Sequence, residues 1–279
     1  MLKRILTGVI AFVFVLLPIL FFANTVVLPI AVAVCGVISA YEVLHCVGLH
    51  KNLWVSAPLY LVSAAMPFAL RYLPKQGVTA VVLAVLVALL YLLAAAVFSH
   101  GKADIRDVST VMTLWIYTLV GFGGLVYIHD TIDGGGYFYL LAFVGAWVTD
   151  TFAYFTGMLL GRHKLIPDVS PKKTVEGAVG GMVFCTLSFV GFALLYNRFW
   201  VADGGNTIPV VAMAIVGLLV SIVSQIGDLS LSLLKRKYGI KDFGKIFPGH
   251  GGVLDRFDSV LAVSIILTVS FKVFTMLGI

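Results

Sequence analysis

The 279-residue sequence is poor in charged residues. They make up 11% of the chain, whereas 61% of its residues are hydrophobic, and an average soluble domain carries about 25% charged residues. No polar stretch is long enough for a separate soluble domain, and no GxxxxGK[ST] phosphate-binding loop occurs. The shortage of charge excludes an ordinary soluble enzyme and predicts helices that span a membrane.

Cysteine is equally sparse. Cys35, Cys46 and Cys185 lie far apart in apolar segments, and none of them belongs to a CxxC pair. This spacing indicates neither a disulfide framework nor a cysteine-based zinc site. We therefore expect three small, buried packing residues.

Nine apolar stretches are long enough to cross a bilayer. They predict an all-α, polytopic integral membrane protein with about nine transmembrane helices and a retained first helix. The predicted spans run roughly over residues 5–23, 25–46, 53–73, 77–99, 108–128, 136–160, 174–199, 207–234 and 258–277. Pro58 and Pro67 make the third span the weakest. We expect a single membrane-embedded domain over 1–279, with N-terminal spans at about 1–130 and catalytic spans and loops at about 136–279.

Lysine and arginine are distributed unequally between the predicted loops. With nine spans, 15 of the 19 lie on the side of the amino terminus and the remaining four on the other side. Positive charge collects on the cytoplasmic side of membrane proteins, so we expect a cytoplasmic amino terminus in a cell (inner) membrane. The same bias explains the net charge of +6, and nucleic acid is not a predicted partner.

Two aspartates, Asp150 and Asp228, lie inside apolar spans. A charged residue costs roughly 2.5–3.5 kcal/mol at the bilayer centre, and such residues usually face a bundle interior or a polar cavity. In the predicted topology both approach the cytoplasmic rim, where the last span begins beside Asp255 and Asp258. A structural ion pair and a polar functional site both explain this placement.

The longest interval without an apolar run covers residues 232–258. Its charged residues are Lys235, Arg236, Lys237, Lys241, Lys245, Arg256, Asp242, Asp255 and Asp258. Asp228, Ser232 and Lys235 share one helix face because they are spaced by four and three residues. A carboxylate in the membrane and a cation at its rim suit a magnesium–phosphate complex. Glycines at 249, 251 and 252 allow backbone amides to approach phosphate oxygens.

A second basic cluster covers residues 170–177, with Ser170, Lys172, Lys173, Thr174 and Glu176. It either anchors and caps the seventh span or binds an anion at that helix amino terminus. Gly157 and Gly161, like Gly177 and Gly181, form small-xxx-small pairs that favour close helix packing. Glu42 is either a polar wall residue or part of an interface ion pair.

These residues resemble the signature of the phosphatidate cytidylyltransferases, also called CDP-diacylglycerol synthases. The matching positions are Ser232-x-Leu234-Lys235-Arg236, Lys241-Asp242-x-Gly244 and Phe247-Pro248-x-His250-Gly251-Gly252-Val253-x-Asp255-Arg256-Phe257-Asp258. Segments 170–174 and Asp150-x-x-Ala153-Tyr154 also resemble this family.

The resemblance implies a reaction of CTP with phosphatidate that gives CDP-diacylglycerol and pyrophosphate in phospholipid biosynthesis. It implies Mg²⁺ held by Asp228 and Asp255, with a second metal ion left open, and a homodimer in membrane lipid whose site faces the cytoplasm. The predicted catalytic residues are Asp228, Asp255, Asp258, Lys235 and Arg236. The predicted substrate-binding residues are Ser170, Lys172, Lys173, Thr174, Lys241, Asp242, His250, Gly251, Gly252, Arg256, Asp150 and Tyr154.

Two other functions are alternatives. One is a transporter or channel with an acidic site at the cytoplasmic rim, and the other is a CTP-dependent lipid kinase. Transporter sites usually lie near the bilayer midplane within paired repeats, and this sequence shows charges at one rim and no internal repeat. The kinase would transfer the γ-phosphate of CTP.

Overall fold

The computed structural model describes residues 21–98, 104–199, 207–246 and 251–277. Within these ranges, eight helices are long and apolar enough to cross a membrane. These helices are α1 (Val27–Val47), α2 (Leu53–Tyr72), α3 (Gly77–Phe98), α4 (Ile105–Thr131), α6 (Leu140–Leu160), α7 (Val175–Phe199), α8 (Val210–Lys237) and α9 (Leu254–Leu277). The short helix α5 (Gly135–Phe138) directly precedes α6.

The prediction of an all-α, polytopic membrane protein is confirmed. The eight spanning helices match the second to ninth predicted spans to within four residues at each end. Residues 5–20 of the first predicted span lie outside the described residues, so the count of nine and the cytoplasmic amino terminus stay predictions. Helix α2 includes Pro58 and Pro67 without ending, as transmembrane helices tolerate.

A β-hairpin separates α6 from α7. Strand β1 (Lys164–Ile166) pairs antiparallel with β2 (Ser170–Thr174), with Lys164 opposite Thr174 and Ile166 opposite Ser170. At the end of β2, the Thr174 hydroxyl accepts a hydrogen bond of 3.1 Å from the Gly177 N–H and so caps α7. The basic cluster is therefore an ordered strand as well as a helix start.

The described residues form two compact units. The first unit contains the chain up to Gly136 together with Lys237–Phe257, and the second contains Tyr137–Arg236 together with Asp258–Ile279. The single domain over 1–279 stays a prediction.

A buried tryptophan marks the core of the first unit. The Trp115 indole N–H on α4 donates a hydrogen bond of 2.9 Å to the Ser63 hydroxyl on α2. Both side chains are almost completely buried. Because both groups are buried away from solvent, this hydrogen bond satisfies two polar groups that would otherwise be costly to bury.

Close helix packing defines the core of the second unit. A Cβ atom at Gly145 of α6 would lie 2.5 Å from Val220 of α8 and 3.3 Å from Val263 of α9, and it would also contact Phe189 of α7. All three neighbours are buried. The four helices of this unit therefore meet at a position where only glycine fits.

An ion pair joins helix ends in the first unit. Arg71, at the end of α2, donates two hydrogen bonds to Asp130 on α4, from Nε to Oδ2 at 2.7 Å and from Nη2 to Oδ1 at 2.6 Å. Its Nη1 donates to the Thr25 carbonyl just before α1. A bidentate arginine–carboxylate pair of this kind is geometrically specific and strong. It holds the ends of three helices together.

Replacing Asp130 with Asn tests this link. Asn keeps the shape of the side chain but loses the charge and one acceptor, so we expect Asp130→Asn to destabilise the protein by roughly 1–3 kcal/mol. The measurement is the midpoint of thermal unfolding in detergent. Asp133→Asn is the matched control, because Asp133 is exposed just beyond α4. Equal midpoints for the two variants would contradict the prediction.

Candidate active site

One face of α8 carries polar groups into the second unit. The Ser232 hydroxyl donates a hydrogen bond of 3.3 Å to Asp228 Oδ1, one turn away. Lys235 lies almost one further turn along the same face and is only 9% exposed. The shared face that the spacing predicts is present, and it brings a carboxylate, a hydroxyl and an ammonium group together.

Lys173 reaches the same helix from β2. Its Nζ lies 2.6 Å from Asp228 Oδ2, and both side chains are about three-quarters buried. Successive side chains of a strand point to opposite faces, and the neighbouring Lys172 is exposed. The two adjacent lysines therefore have different environments, although the sequence predicts that they belong to one basic cluster.

Two more carboxylates lie beside this ion pair. Ser259 on α9 donates from its hydroxyl to Asp150 Oδ2 at 3.3 Å, and its N–H donates to Asp258 Oδ1 at 2.8 Å. Asp258 interacts electrostatically with Asp228, Lys235 and Asp150, and Asp150 with Asp228 and Lys173. Carboxylates from α6, α8 and α9 thus share one environment. Ser259 was missed because no spacing rule singles out a serine after Asp258.

We call Asp150, Asp228, Asp258, Lys173 and Lys235 the carboxylate–lysine cluster. Three carboxylates and two ammonium groups leave one excess negative charge when all are ionised. Charges in apolar helices are stable only when they are paired and hydrogen-bonded. The cluster can therefore attract a cation with its excess carboxylate and an anion with its lysines, which is the combination that a metal–phosphate substrate needs.

Two further carboxylates hold the start of α9 in the first unit. Glu42 of α1 accepts hydrogen bonds from the N–H groups of Val253 at 2.9 Å and Leu254 at 2.8 Å. Asp255 Oδ2 accepts from the N–H groups of Phe243 at 2.8 Å and Gly252 at 2.9 Å. Glu42 is thus a backbone acceptor, a role that differs from both interpretations of the sequence.

Two glycines of the signature, Gly251 and Gly252, make room for these backbone contacts. Gly251 has a φ of 85°, a conformation that glycine adopts without strain. A Cβ atom at Gly252 would overlap the Glu42 carboxylate. Their predicted contact with phosphate stays a prediction. Phe247, Pro248, Gly249 and His250 lie outside the described residues.

The other predicted site residues have varied surroundings. Thr174 is buried and caps α7, and Ser170 is half-buried in β2. The exposed members of this remaining set, apart from Asp150 described above, are Tyr154, Lys172, Arg236, Lys241, Asp242 and Arg256. No contact of these exposed residues defines a role, and their functions stay predictions.

The carboxylates also bear on metal binding. In the part of the chain that the structure describes, no three His, Cys, Asp or Glu side chains are grouped to hold a metal ion. Mg²⁺ usually takes only one or two carboxylates and completes its shell with phosphates and water. The carboxylate oxygens of Asp228 and its neighbours fit this preference of Mg²⁺. Asp255 already uses Oδ2 for two backbone N–H groups, so its metal role stays a prediction.

Comparison with known proteins identifies the family. The cytidylyltransferase family matches residues 2–274. The chain belongs to this family. It is 34% identical over 275 residues to the phosphatidate cytidylyltransferase of Staphylococcus aureus (strain COL), covering 95% of this chain and 97% of the relative. It is 34% identical over 266 residues to that of Bacillus subtilis (strain 168), covering 94% of each. The chain is therefore a nucleotidyltransferase.

Helix packing in this cytidylyltransferase holds α6 close to α7. A Cβ atom at Gly177 would lie 2.5 Å from the Ala153 carbonyl oxygen and 3.1 Å from Gly157 Cα. A Cβ atom at Gly181 would lie 2.9 Å from the Thr149 carbonyl oxygen. The predicted packing role of these glycines is confirmed, and it places the helix of Asp150 against the helix that follows Lys173.

Gly177→Ala tests this packing. Since the nearest obstructing atom, the Ala153 carbonyl oxygen, belongs to the backbone of α6, the helices must separate, and we expect a loss of about 1–3 kcal/mol in stability. Thermal unfolding in detergent measures the effect. Gly191→Ala, in the same helix but with no atom within 4 Å of its Cβ position, should leave the midpoint unchanged or raise it. A Gly177→Ala protein as stable as this control would refute the prediction.

Proposed function

We propose that this enzyme transfers the cytidylyl group of CTP to phosphatidate and releases pyrophosphate. The name of the relatives supports the substrates, and the family supports the reaction class. The observation that carries the proposal is the ion pair between Lys173 and Asp228 next to two further carboxylates. It supplies both signs of charge beside one another.

The reaction needs charge stabilisation more than it needs a strong base. A phosphate oxygen of phosphatidate attacks the α-phosphorus of CTP, and a new P–O bond forms. The bond from that phosphorus to the oxygen of the β-phosphate breaks, and its electron pair leaves with pyrophosphate. The phosphate monoester is already an anion near neutral pH. Lys173 and Lys235 neutralise the negative charge that spreads over the phosphate oxygens.

Mg²⁺ is the proposed cofactor. Asp228 and Asp255 are its proposed ligands, and Asp150 and Asp258 lie in the environment of Asp228. When bound, Mg²⁺ would offset the charge of the triphosphate. Titration of the rate with Mg²⁺ tests for a second metal ion.

The proposed substrates fit a membrane enzyme. Phosphatidate keeps its acyl chains in the lipid while its head group stays at the interface, and CTP arrives from the cytosol. We therefore propose a multi-pass protein of the bacterial cell membrane with its site open to the cytoplasm. The excess of Lys and Arg in the loops on that side supports this orientation. A homodimer is proposed from the family resemblance.

Family membership favours this function over the alternatives. A transporter or channel has no need of nucleotidyl transfer, and the chain is a nucleotidyltransferase. A CTP-dependent lipid kinase would also use CTP but would break a different phosphoanhydride bond. The position of a radioactive label in CTP separates the two reactions.

Purified protein or membranes that contain it should convert CTP and phosphatidate to CDP-diacylglycerol. We expect label from the α-phosphate of CTP to enter the lipid and label from the γ-phosphate to appear in pyrophosphate. Removal of divalent metal with EDTA should abolish turnover, and Mg²⁺ should restore it. Entry of the γ-label into lipid would replace the proposal with the kinase. Membranes without the protein provide the background rate.

The two adjacent lysines allow a matched comparison. Lys173→Gln removes the partner of Asp228, so we expect kcat to fall at least about a hundredfold, as for other lost electrostatic stabilisers. Lys172→Gln alters an exposed charge, and we expect less than about a tenfold change, confined to KM. Steady-state kinetics at fixed Mg²⁺ measures both. Equal losses in the two variants would contradict the different environments that the strand assigns to them.

A further inference from the structure

Glu42 is an acid buried in the first membrane-spanning helix of the described chain. Only 1% of its surface is exposed. Each of its carboxylate oxygens accepts one backbone hydrogen bond, Oε1 from Val253 at 2.9 Å and Oε2 from Leu254 at 2.8 Å. These donors lie more than 200 residues later in the sequence. The contact is thus specific to the folded protein.

The start of α9 is suited to such a partner. The first N–H groups of a helix lack acceptors within the helix, and its dipole favours a negative charge at that end. Gly244 and Gly252 make the approach feasible, since a Cβ atom at either position would overlap the Glu42 carboxylate. The family signature therefore includes two glycines whose missing side chains leave room for an acid outside that signature.

The anchored segment carries predicted site residues. Asp255 and Arg256 lie in the first turn of α9, and Asp258 follows one turn after Leu254. Asp255 itself adds two hydrogen bonds, from Phe243 and Gly252. Four backbone N–H groups before and at the start of α9 are thus held by two buried carboxylates. The direction in which this turn presents its side chains depends on those four bonds.

We propose that Glu42 is a positioning residue for nucleotidyl transfer. It fixes the start of α9 and so sets the orientation of Asp255 and Arg256 toward metal and substrate phosphates. The inference rests on the proposed function, because the purpose of that orientation is the transfer step. It differs from a purely structural role, which would change the amount of folded protein but not the kinetics of each folded molecule.

Glu42→Gln is the first test. The amide keeps the size of the side chain but presents NH₂ to one of the two backbone N–H groups, so one hydrogen bond is lost. We expect kcat per folded molecule to fall at least tenfold, since a displacement of about 1 Å can cost a hundredfold. The Mg²⁺ concentration for half-maximal rate should rise severalfold, because the carboxylates of this turn lose their orientation. Glu42→Asp, which keeps both acceptors, should recover part of kcat.

Hydrogen exchange measures the anchoring without activity. In detergent, peptides that contain Phe243, Gly252, Val253 and Leu254 should exchange faster in Glu42→Gln than in the wild type. Peptides from α7 should exchange as before. If wild-type protein fails to convert CTP and phosphatidate, the proposed function fails, and the exchange data still decide whether Glu42 anchors α9.

A second variant covers the case in which Glu42→Gln does not fold. Gly252→Ala places a Cβ atom against the same carboxylate and should give the same kinetic and exchange changes. Gly136→Ala, with no atom within 4 Å of its Cβ position, is the matched control. Wild-type kcat and Mg²⁺ dependence in Glu42→Gln or Gly252→Ala would overturn the inference. So would faster exchange throughout the protein with unchanged kcat per folded molecule.

Discussion

The ion pair between Lys173 and Asp228 is the interaction on which the candidate site depends. Asp228 lies within an apolar helix, where an isolated charge is costly, and its partner comes from a strand. The hairpin must therefore form before the carboxylate is stabilised, and close packing of α6 on α7 keeps the hairpin in place. The ion pair therefore depends on the hairpin, on the packing of α6 against α7 and on the electrostatic attraction between its two side chains.

Sequence reasoning predicted the parts that depend on local pattern. The length of each apolar stretch located the spans, because the bilayer sets a minimum number of residues for a helix. Helical periodicity placed Asp228, Ser232 and Lys235 on one face, and their hydrogen bond and burial agree with it. Small residues at a spacing of four predicted close helix packing, and these glycines lie where α6 and α7 pack together. Each of these features requires only residues close together in sequence.

Features that depend on distant or backbone partners could not be predicted. A five-residue strand with two lysines looks like a charge cluster in the sequence. The sequence therefore did not show that Lys172 is exposed while Lys173 pairs with Asp228. Glu42 has backbone N–H groups as partners, and any residue except proline could supply them. The start of α9 at Leu254 was placed four residues late, because an acidic first turn is polar although it is helical.

The contact between Glu42 and Val253 also orders events during synthesis. The two residues are separated by 211 positions, and at about 5–20 residues per second the ribosome needs roughly 10 to 40 seconds to join them. During that interval α1 is already available for membrane insertion, while its carboxylate still lacks the donors that will satisfy it. A chain that stops before residue 253 therefore lacks both backbone donors of the Glu42 carboxyl group.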